Sequence, residues 1–385
     1  MHSMHTGYIE GYYGNTLNWQ HRFDMLRHLH HLGLNTYVYA PKEDLLHRMN
    51  WRKPYSADWL KTFRNLVSEG KKQHVNVVYS IAPGLSYDYS SKKDYRTLLA
   101  KIKQLLSTGI TTVALLMDDI DDKLPSKLQT SFSSLGDAHA RLLQQLSAEL
   151  CFTRNQTALW FCPTIYTDAF TPDKASATDY MQDLANGTPE NIPLFWTGPD
   201  VVAKDLSKVN IRHISTLFKG GIIIWDNYFA NDYCPDNLFL GPFKGRSANL
   251  LKDLCGYCIN PTGYYETDKM YLELMTGYLK GQAPKKTWTR ITSKHNLPKE
   301  FFNIAGFLNS PFSSFSVKTL SSRKIQTHIK NLHHLLFTWK SPFQIEWYPF
   351  LHRLYRDLNY ISKKPTIPAE KLVKKYPPLL RNLLK

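Results

Sequence analysis

The chain has 385 residues, of which 43% are hydrophobic, and its formal net charge is +16. This composition is typical of a globular protein, and no stretch approaches the roughly 20 apolar residues that a membrane-spanning helix needs. The first residues lack the apolar segment of a secretory signal peptide, and an odd number of cysteines, five, fits a reducing compartment. We therefore expect a cytoplasmic protein without a transmembrane segment.

The positive charge is concentrated at the C-terminal end. Residues 284–385 contain 19 Lys and Arg against 4 Asp and Glu, a net charge of +15, whereas the rest of the chain is close to neutral. This shift predicts a domain at 1–283 followed by a basic helical region at 284–385. A basic region of this kind also offers a rival function, which is contact with a polyanion or an anionic membrane surface.

Strand-like and helix-like stretches alternate through the first domain. The predicted strands are short and mostly apolar: Thr6–Glu10, Thr36–Ala40, Val75–Ile81, Thr111–Met117, Ala158–Phe161, Pro193–Trp196, Gly221–Trp225 and Leu254–Ile259. Apolar residues at helical spacing predict the intervening helices, which are Trp19–Leu32, Ala57–Ser68, Lys93–Leu106, Ala138–Leu150, Val201–Phe218 and Lys269–Leu279. Helical spacing recurs in the basic region at Ile325–Trp339 and Phe350–Ile361.

Eight strand–helix units over this length predict an α/β protein with a (β/α)8 TIM barrel. A doubly wound open sheet is the alternative. The loop Gly11–Gly14 after the first strand lacks the G-x-G-x-x-G pattern of dinucleotide-binding proteins, so the sequence gives little support to nucleotide binding.

One predicted strand ends in a run of acidic residues. The apolar stretch from Thr111 leads directly into Asp118, Asp119, Asp121 and Asp122. Neighbouring carboxylates repel each other and lose hydration when buried, so this placement favours a functional site over a stabilising one. An extended backbone would direct Asp118 and Asp119 to different sides and give them different tasks. A solvated loop, a helix cap and a metal-dependent hydrolase site remain alternatives, although no histidine cluster supports a metal.

The strand ends carry a series of motifs between residues 6 and 280. They are Ile9–Gly14, Leu34–Lys42, Ser80–Leu85, Leu115–Asp121, Phe161–Thr164 with Tyr166, Leu194–Pro199, Trp225–Asn227 with Ala230–Tyr233, Phe239–Ser247, and Asn260–Pro261. In this order the motifs resemble the protein O-GlcNAcase, or beta-N-acetylglucosaminidase, family of glycoside hydrolases. Those enzymes remove β-linked N-acetylglucosamine (GlcNAc) from serine and threonine of proteins.

The resemblance implies a retaining, substrate-assisted mechanism without a cofactor or a metal. The nucleophile is the oxygen of the sugar's own 2-acetamido group, which forms an oxazoline. Asp118 is expected to accept a hydrogen bond from the acetamido N–H. Asp119 is expected to protonate the leaving oxygen and then to deprotonate the water. Repulsion between the two carboxylates predicts a raised pKa for one of them.

The resemblance also implies substrate-binding roles for eight further residues. Those expected to hold sugar hydroxyls are Gly11, Lys42, Asp232 and Asn260. Those expected to position the acetamido group and the reacting atoms are Tyr166 and Asn227. Trp225 is expected to wall the acetyl pocket, and Tyr233 to reach towards the aglycone.

The expected partner is a protein or peptide that carries O-linked GlcNAc. The same chemistry on hyaluronan fragments or on small N-acetylglucosaminides is an alternative. Since the modification is common in eukaryotic cells, a bacterial effector delivered into a host is a further hypothesis. The sequence makes no prediction about the oligomeric state.

Overall fold

The computed structural model describes residues 4–151, 157–171, 178–313 and 320–363. The chain forms two compact units, one from residues 1–227 and 245–260 and the other from residues 228–244 and 261–385. The domain boundary that composition predicts between residues 283 and 284 stays a prediction. The proline-containing end of the basic region, residues 364–385, lies outside the described residues.

In the described part of the first unit, eight parallel strands form a closed barrel in which each strand pairs with its neighbours in sequence. The strands are β1 His5–Glu10, β2 Thr36–Tyr39, β3 Asn76–Ile81, β4 Thr112–Leu116, β5 Ala158–Cys162, β6 Leu194–Trp196, β7 Ile222–Asp226 and β8 Gly256–Ile259. Pairing of β8 with β1 closes the ring, with His5 opposite Gly256. The predicted (β/α)8 barrel is confirmed, and the open-sheet alternative is wrong.

Helices connect these strands. In the first unit they are α1 Trp19–Leu32, α2 Ala57–Lys72, α3 Lys92–Leu106, α4 Leu135–Cys151, α5 Asp179–Gly187 and α6 Lys208–Leu217. Helix α5 has no counterpart among the predicted helices. The helix predicted from Val201 begins only at Lys208, because the Asn210 side chain accepts a hydrogen bond from the backbone N–H of Ser207 and so caps the helix there.

Residues at the two ends of helix α1 determine where the helix begins and ends. The side chain of Asn18 accepts a hydrogen bond from the backbone N–H of His21, which satisfies a donor at the N-terminus. Gly33 ends the helix with a φ of 75°, a left-handed conformation that glycine adopts without a steric penalty. Between these ends, Met25, Leu26 and Leu29 are fully buried along one face.

Alternation along the strands decides which side chains fill the barrel. Ala114 and Leu116 of β4 belong to a buried cluster with side chains from the other strands, among them Val38 and Phe195. Because successive side chains of a strand point to opposite sides, every second residue of β4 points inwards. The same period leads from Leu116 to Asp118, which is 9% exposed. The sequence of β4 therefore directs Asp118 towards the barrel axis.

In its described part, the second unit combines helices with the irregular segment 228–244. Its helices are α7 Tyr265–Leu279, α8 Pro284–Lys294, α9 Lys299–Ile304, α10 Ser322–Phe337 and α11 Pro342–Ser362. The carboxylate of Glu346, on α11, accepts hydrogen bonds from the backbone N–H groups of Glu266 and Thr267 at 2.8 and 2.9 Å. It thereby binds two N–H groups in the first turn of α7, which lack partners within that helix.

The described helices include those predicted at Ile325–Trp339 and Phe350–Ile361, with both helices starting earlier than predicted. Across the described ranges, every helix is too short or too polar to cross a lipid bilayer. Contact of the basic region with a polyanion stays a prediction.

Candidate active site

Asp118 forms an ion pair with Lys42 inside the barrel mouth. The Lys42 Nζ atom lies 2.5 Å from Oδ2 of Asp118, and the two side chains are 2% and 10% exposed. Lys42 follows β2 and Asp118 follows β4, so the barrel brings together residues that are far apart in sequence. The other carboxylate oxygen, Oδ1, is buried and has no hydrogen-bond partner among the described residues. An acceptor in this state is ready to receive a donor from a ligand.

The charge of Asp118 follows from its neighbours. Burial alone would raise the pKa of this carboxyl group, since it disfavours the charged form. The Lys42 ammonium, with a smaller contribution from the Arg48 guanidinium, outweighs burial and holds the pKa of Asp118 below its usual value. Asp118 is therefore ionised, and for this residue repulsion from the second carboxylate does not raise the pKa.

Asp119 is held by different residues from those that hold Asp118. Its Oδ1 atom accepts a hydrogen bond from the Tyr166 hydroxyl at 3.0 Å, and its Oδ2 atom accepts one from the Tyr13 hydroxyl at 2.6 Å. The backbone at Asp119 is left-handed, with a φ of 53°, so the extended backbone expected here is wrong. The Asp119 side chain is 34% exposed, in contrast to the buried Asp118. The two carboxylates nevertheless have different surroundings, as their adjacency predicts.

Four of the predicted binding residues form one hydrogen-bonded chain. The Asn260 side chain accepts a bond from the backbone N–H of Gly11 at 3.0 Å and donates to Oδ1 of Asn227 at 2.9 Å. The same oxygen accepts a bond from the indole nitrogen of Trp225 at 3.1 Å. Asn227 in turn donates to the carbonyl oxygen of Val201 at 2.9 Å. The ends of β1, β7 and β8 are thus fixed against one another.

Gly11 is required by its contact with Trp225. A Cβ atom added at Gly11 would lie 2.5 Å from the nearest carbon of the Trp225 ring. Such an approach is well inside van der Waals contact, so any side chain at this position would displace the indole. The ring of Trp225 is 7% exposed and also packs against Phe195 with ring centroids 5.3 Å apart.

The predicted residues Asp232 and Tyr233 belong to the second unit. Oδ1 of Asp232 accepts a hydrogen bond from the backbone N–H of Tyr233 at 2.9 Å. The Tyr233 ring stacks on Phe239. Burial is the main cause that raises the pKa of Tyr233. The substrate-binding roles of both residues stay predictions.

The sequence did not indicate roles for two residues that contact Asp119. Tyr13 lies inside the motif Ile9–Gly14, but a tyrosine in a loop gives no reason to connect it with an acid. Arg48 lies in no motif.

Within the described ranges, no group of three or more His, Cys, Asp and Glu side chains could hold a metal ion.

Comparisons with known proteins identify the family of this chain. A family model described as beta-N-acetylglucosaminidase matches residues 6–302. The proteins named Protein O-GlcNAcase from Rattus norvegicus and Mus musculus are each 35% identical over 274 residues, which cover 71% of this chain and 30% of each relative. A solved structure of a mutant O-GlcNAc hydrolase from Thermobaculum terrenum matches with a TM-score of 0.81 and 25% sequence identity.

That structural match covers 98% of this chain and 88% of the bacterial chain. By contrast, the chain matches less than a third of the length of the two mammalian relatives. The match to the family model, over residues 6–302, includes nearly all of the eight-stranded barrel. This chain belongs to the beta-N-acetylglucosaminidase family of glycoside hydrolases.

Proposed function

We propose that this chain is a retaining β-N-acetylglucosaminidase that removes O-linked GlcNAc from serine and threonine of proteins, with the substrate's own acetamido group as the nucleophile. The observation that carries the proposal is the difference between Asp118 and Asp119. The first carboxylate is buried and anionic, and one of its oxygens has no partner among the described residues. The second is partly exposed and held by two tyrosine hydroxyls.

Asp118 suits the acetamido group. Its unpartnered Oδ1 atom accepts a hydrogen bond from the acetamido N–H, and this bond turns the acetyl oxygen towards the anomeric carbon. As that oxygen bonds to the anomeric carbon, positive charge develops on the forming oxazoline ring. The negative charge of Asp118 stabilises this charge in a site of low dielectric constant. Lys42 keeps Asp118 ionised for this purpose.

Asp119 suits the aglycone oxygen. In the first step, its carboxylic acid gives a proton to the serine or threonine oxygen while the bond from the anomeric carbon to that oxygen breaks. In the second step, the resulting carboxylate takes a proton from water, which attacks the anomeric carbon and opens the oxazoline. Two displacements at the same carbon return the original β configuration. The partial exposure of Asp119 gives it access to both the leaving group and water.

Four of the remaining predicted residues form a rigid part of the proposed sugar pocket. The hydrogen-bonded chain from Gly11 through Asn260 and Asn227 to Trp225 fixes their positions before substrate binds. Pre-organised binding groups lower the entropy cost of positioning the acetamido oxygen for attack. In this proposal, Trp225 walls the acetyl group, and the groups that bind sugar hydroxyls are Lys42, Asn260, Asp232 and the backbone at Gly11.

The relatives named Protein O-GlcNAcase support a protein substrate over other GlcNAc glycosides. The test is hydrolysis of an aryl β-N-acetylglucosaminide and of a GlcNAc-modified serine peptide by wild type, Asp118→Asn and Asp119→Asn. Turnover of both substrates by wild type is expected, with a loss of about 10²–10⁴-fold in each variant on the peptide. Addition of a chelator is expected to leave the rates unchanged.

The control substrate is the matching aryl β-glucoside, which lacks the acetamido group. Equal turnover of the glucoside by wild type would contradict substrate assistance. Turnover of the aryl substrate without turnover of the peptide would move the proposal to hyaluronan fragments or small N-acetylglucosaminides. Activity that disappears with chelator would favour the metal-dependent alternative.

A further inference from the structure

Two residues without a role in the proposed mechanism converge on Asp119. Tyr13 donates a hydrogen bond to Oδ2 of Asp119 at 2.6 Å, and the guanidinium of Arg48 lies 3.7 Å from the same oxygen. Arg48 also donates to the Tyr13 hydroxyl at 2.6 Å. The three residues thus form a continuous chain from guanidinium to phenol to carboxylate.

The chain is built from separate loops of the barrel. Tyr13 follows β1, Arg48 follows β2 and Asp119 follows β4, so none of these contacts arises from local sequence. The Arg48 side chain is only 9% exposed. Burial of a guanidinium is costly unless its donors and charge are matched by acceptors and anions. Here the Tyr13 hydroxyl and the oxygens of Asp119 supply that match.

Arg48 holds the backbone of Asp119 as well as its side chain. Its second terminal nitrogen donates to the carbonyl oxygen of Asp119 at 3.3 Å. The φ of 53° at this residue is a conformation that costs a non-glycine residue roughly 1 kcal/mol or more. A bond to the carbonyl oxygen favours the orientation of the peptide group that this conformation requires. The direction of the carboxylate is therefore fixed from both ends.

We propose that Arg48, directly and through Tyr13, is a positioning residue for Asp119. This inference rests on the proposed role of Asp119 as the acid and base of the reaction. Arg48 and Tyr13 hold the carboxyl group at the angle needed to reach the leaving oxygen. Their donors and positive charge also stabilise the carboxylate that is left after the proton has moved. Neither residue touches the sugar's reacting atoms in this assignment.

The proposal predicts a dependence on the leaving group. A substrate whose leaving group departs without protonation, such as the 2,4-dinitrophenyl glycoside, needs little help from Asp119. A poor leaving group, such as 4-methoxyphenol, needs a well-placed acid. In Arg48→Gln, kcat/KM is therefore expected to fall by about 10–100-fold for the poor leaving group and by less than about threefold for the good one. The loss is expected in kcat, with KM little changed.

Three further variants sharpen the test. Tyr13→Phe removes the bridging hydroxyl and is expected to give the same selective loss. The double variant is expected to lose less than the product of the two single losses, because both act through one chain. Arg48→Lys, which keeps the charge, is expected to recover part of the rate on the poor leaving group. Arg52→Gln is the matched control in the same loop, since Arg52 pairs with Asp94 instead.

Equal losses on good and poor leaving groups in both Arg48→Gln and Tyr13→Phe would overturn the inference and leave these residues a purely structural role. So would strictly multiplicative losses in the double variant. If Arg48→Gln does not fold, as judged by its melting curve, Tyr13→Phe alone decides. Asp119→Asn separates the two proposals: if that variant shows no dependence on the leaving group, the proposed function itself fails.

Discussion

Lys42 and Asp118 form a one-sided ion pair: Nζ lies 2.5 Å from Oδ2, while Oδ1 of the same carboxylate is left without a partner in the described part of the chain. A fully satisfied carboxylate would have nothing to offer a ligand. An unpaired buried one would not stay charged. The pairing of a single oxygen meets both requirements.

Substitution of Lys42 by Met is expected to move the acidic limb of activity to higher pH. Without the ammonium, burial becomes the dominant influence and raises the pKa of Asp118. Asp118 then takes up a proton at a pH where the wild-type residue is still ionised. The measurement is kcat/KM for a 2,4-dinitrophenyl N-acetylglucosaminide between acidic and neutral pH. An acidic limb at the wild-type position would contradict the assignment of Lys42 as the group that keeps Asp118 charged.

Substitution of Gly11 by Ala is expected to damage substrate binding through Trp225. The added Cβ atom would meet the indole ring at 2.5 Å, so the ring has to move away. We expect KM to rise by about tenfold or more, since a misplaced pocket wall costs on the order of 1–3 kcal/mol. The ring is the cause if Trp225→His, which lacks the six-membered ring, makes the same Gly11→Ala change nearly neutral. An undiminished effect in the Trp225→His background would point to the backbone instead.

Two buried histidines are expected to make the protein less stable as the pH falls below about 6.5. Burial lowers the pKa of His139 to about 3 and that of His47 to about 4. Between these values and the ordinary pKa, the unfolded chain binds protons that the folded chain does not. The free energy of unfolding therefore decreases by about 1.4 kcal/mol per pH unit for each histidine.

His139→Gln tests this dependence. In the wild type, Nδ1 lies 2.9 Å from the Tyr180 hydroxyl and Nε2 lies 2.6 Å from the Tyr89 hydroxyl. Denaturant unfolding between pH 4.5 and 6.5 is expected to show a smaller slope with pH in the variant. Tyr89→Phe, which removes one partner but keeps the titrating ring, is expected to retain the slope. A slope unchanged by His139→Gln would show that His139 is not responsible.

Substitution of Glu346 by Ala is expected to destabilise the second unit. This carboxylate binds the first N–H groups of α7, and its Oε2 atom also accepts a bond from the Thr267 hydroxyl at 2.7 Å. Loss of a cap of this kind typically costs about 1–2 kcal/mol. Thermal unfolding is the measurement, and Ile345→Ala is the control, since Ile345 is 74% exposed on the same helix. Equal melting temperatures for Glu346→Ala and wild type would rule out this contribution.

The barrel could be predicted from the sequence because its signals are local. The beginning and end of apolar strands such as Thr112–Leu116 and of capped helices such as Trp19–Leu32 are set by residues in or next to these elements. The inward direction of Asp118 follows from the sequence as well, because this residue continues the inward period of β4, whereas its charge depends on the distant Lys42. The left-handed backbone of Asp119 could not be predicted from the sequence. The neighbouring residues do not indicate it, and a hydrogen bond from Arg48 helps to hold it.

The residues of the candidate site likewise include some that the sequence predicted and some that it did not. Motifs predicted sugar-binding or positioning roles for Gly11, Asn227 and Asn260, and the structure brings these residues into one hydrogen-bonded chain. Arg48 was not predicted as a site residue, because its proposed positioning role depends on a contact with Asp119, which is 71 positions away. A single sequence carries no mark of such a distant contact. The short helix Asp179–Gly187 was missed because nine residues give too few turns for a clear apolar period.

Closure of the barrel between His5 and Gly256 has a consequence for the newly made chain. The first strand leaves the ribosome long before its second neighbour exists. At about 5–20 residues per second, the interval is about 12–50 s. During that time one edge of β1 has unpaired backbone groups that can join another strand. Synthesis of this chain therefore includes an interval in which the unpaired edge of β1 can pair with a wrong strand, a hazard to correct folding that is separate from the stability of the finished barrel.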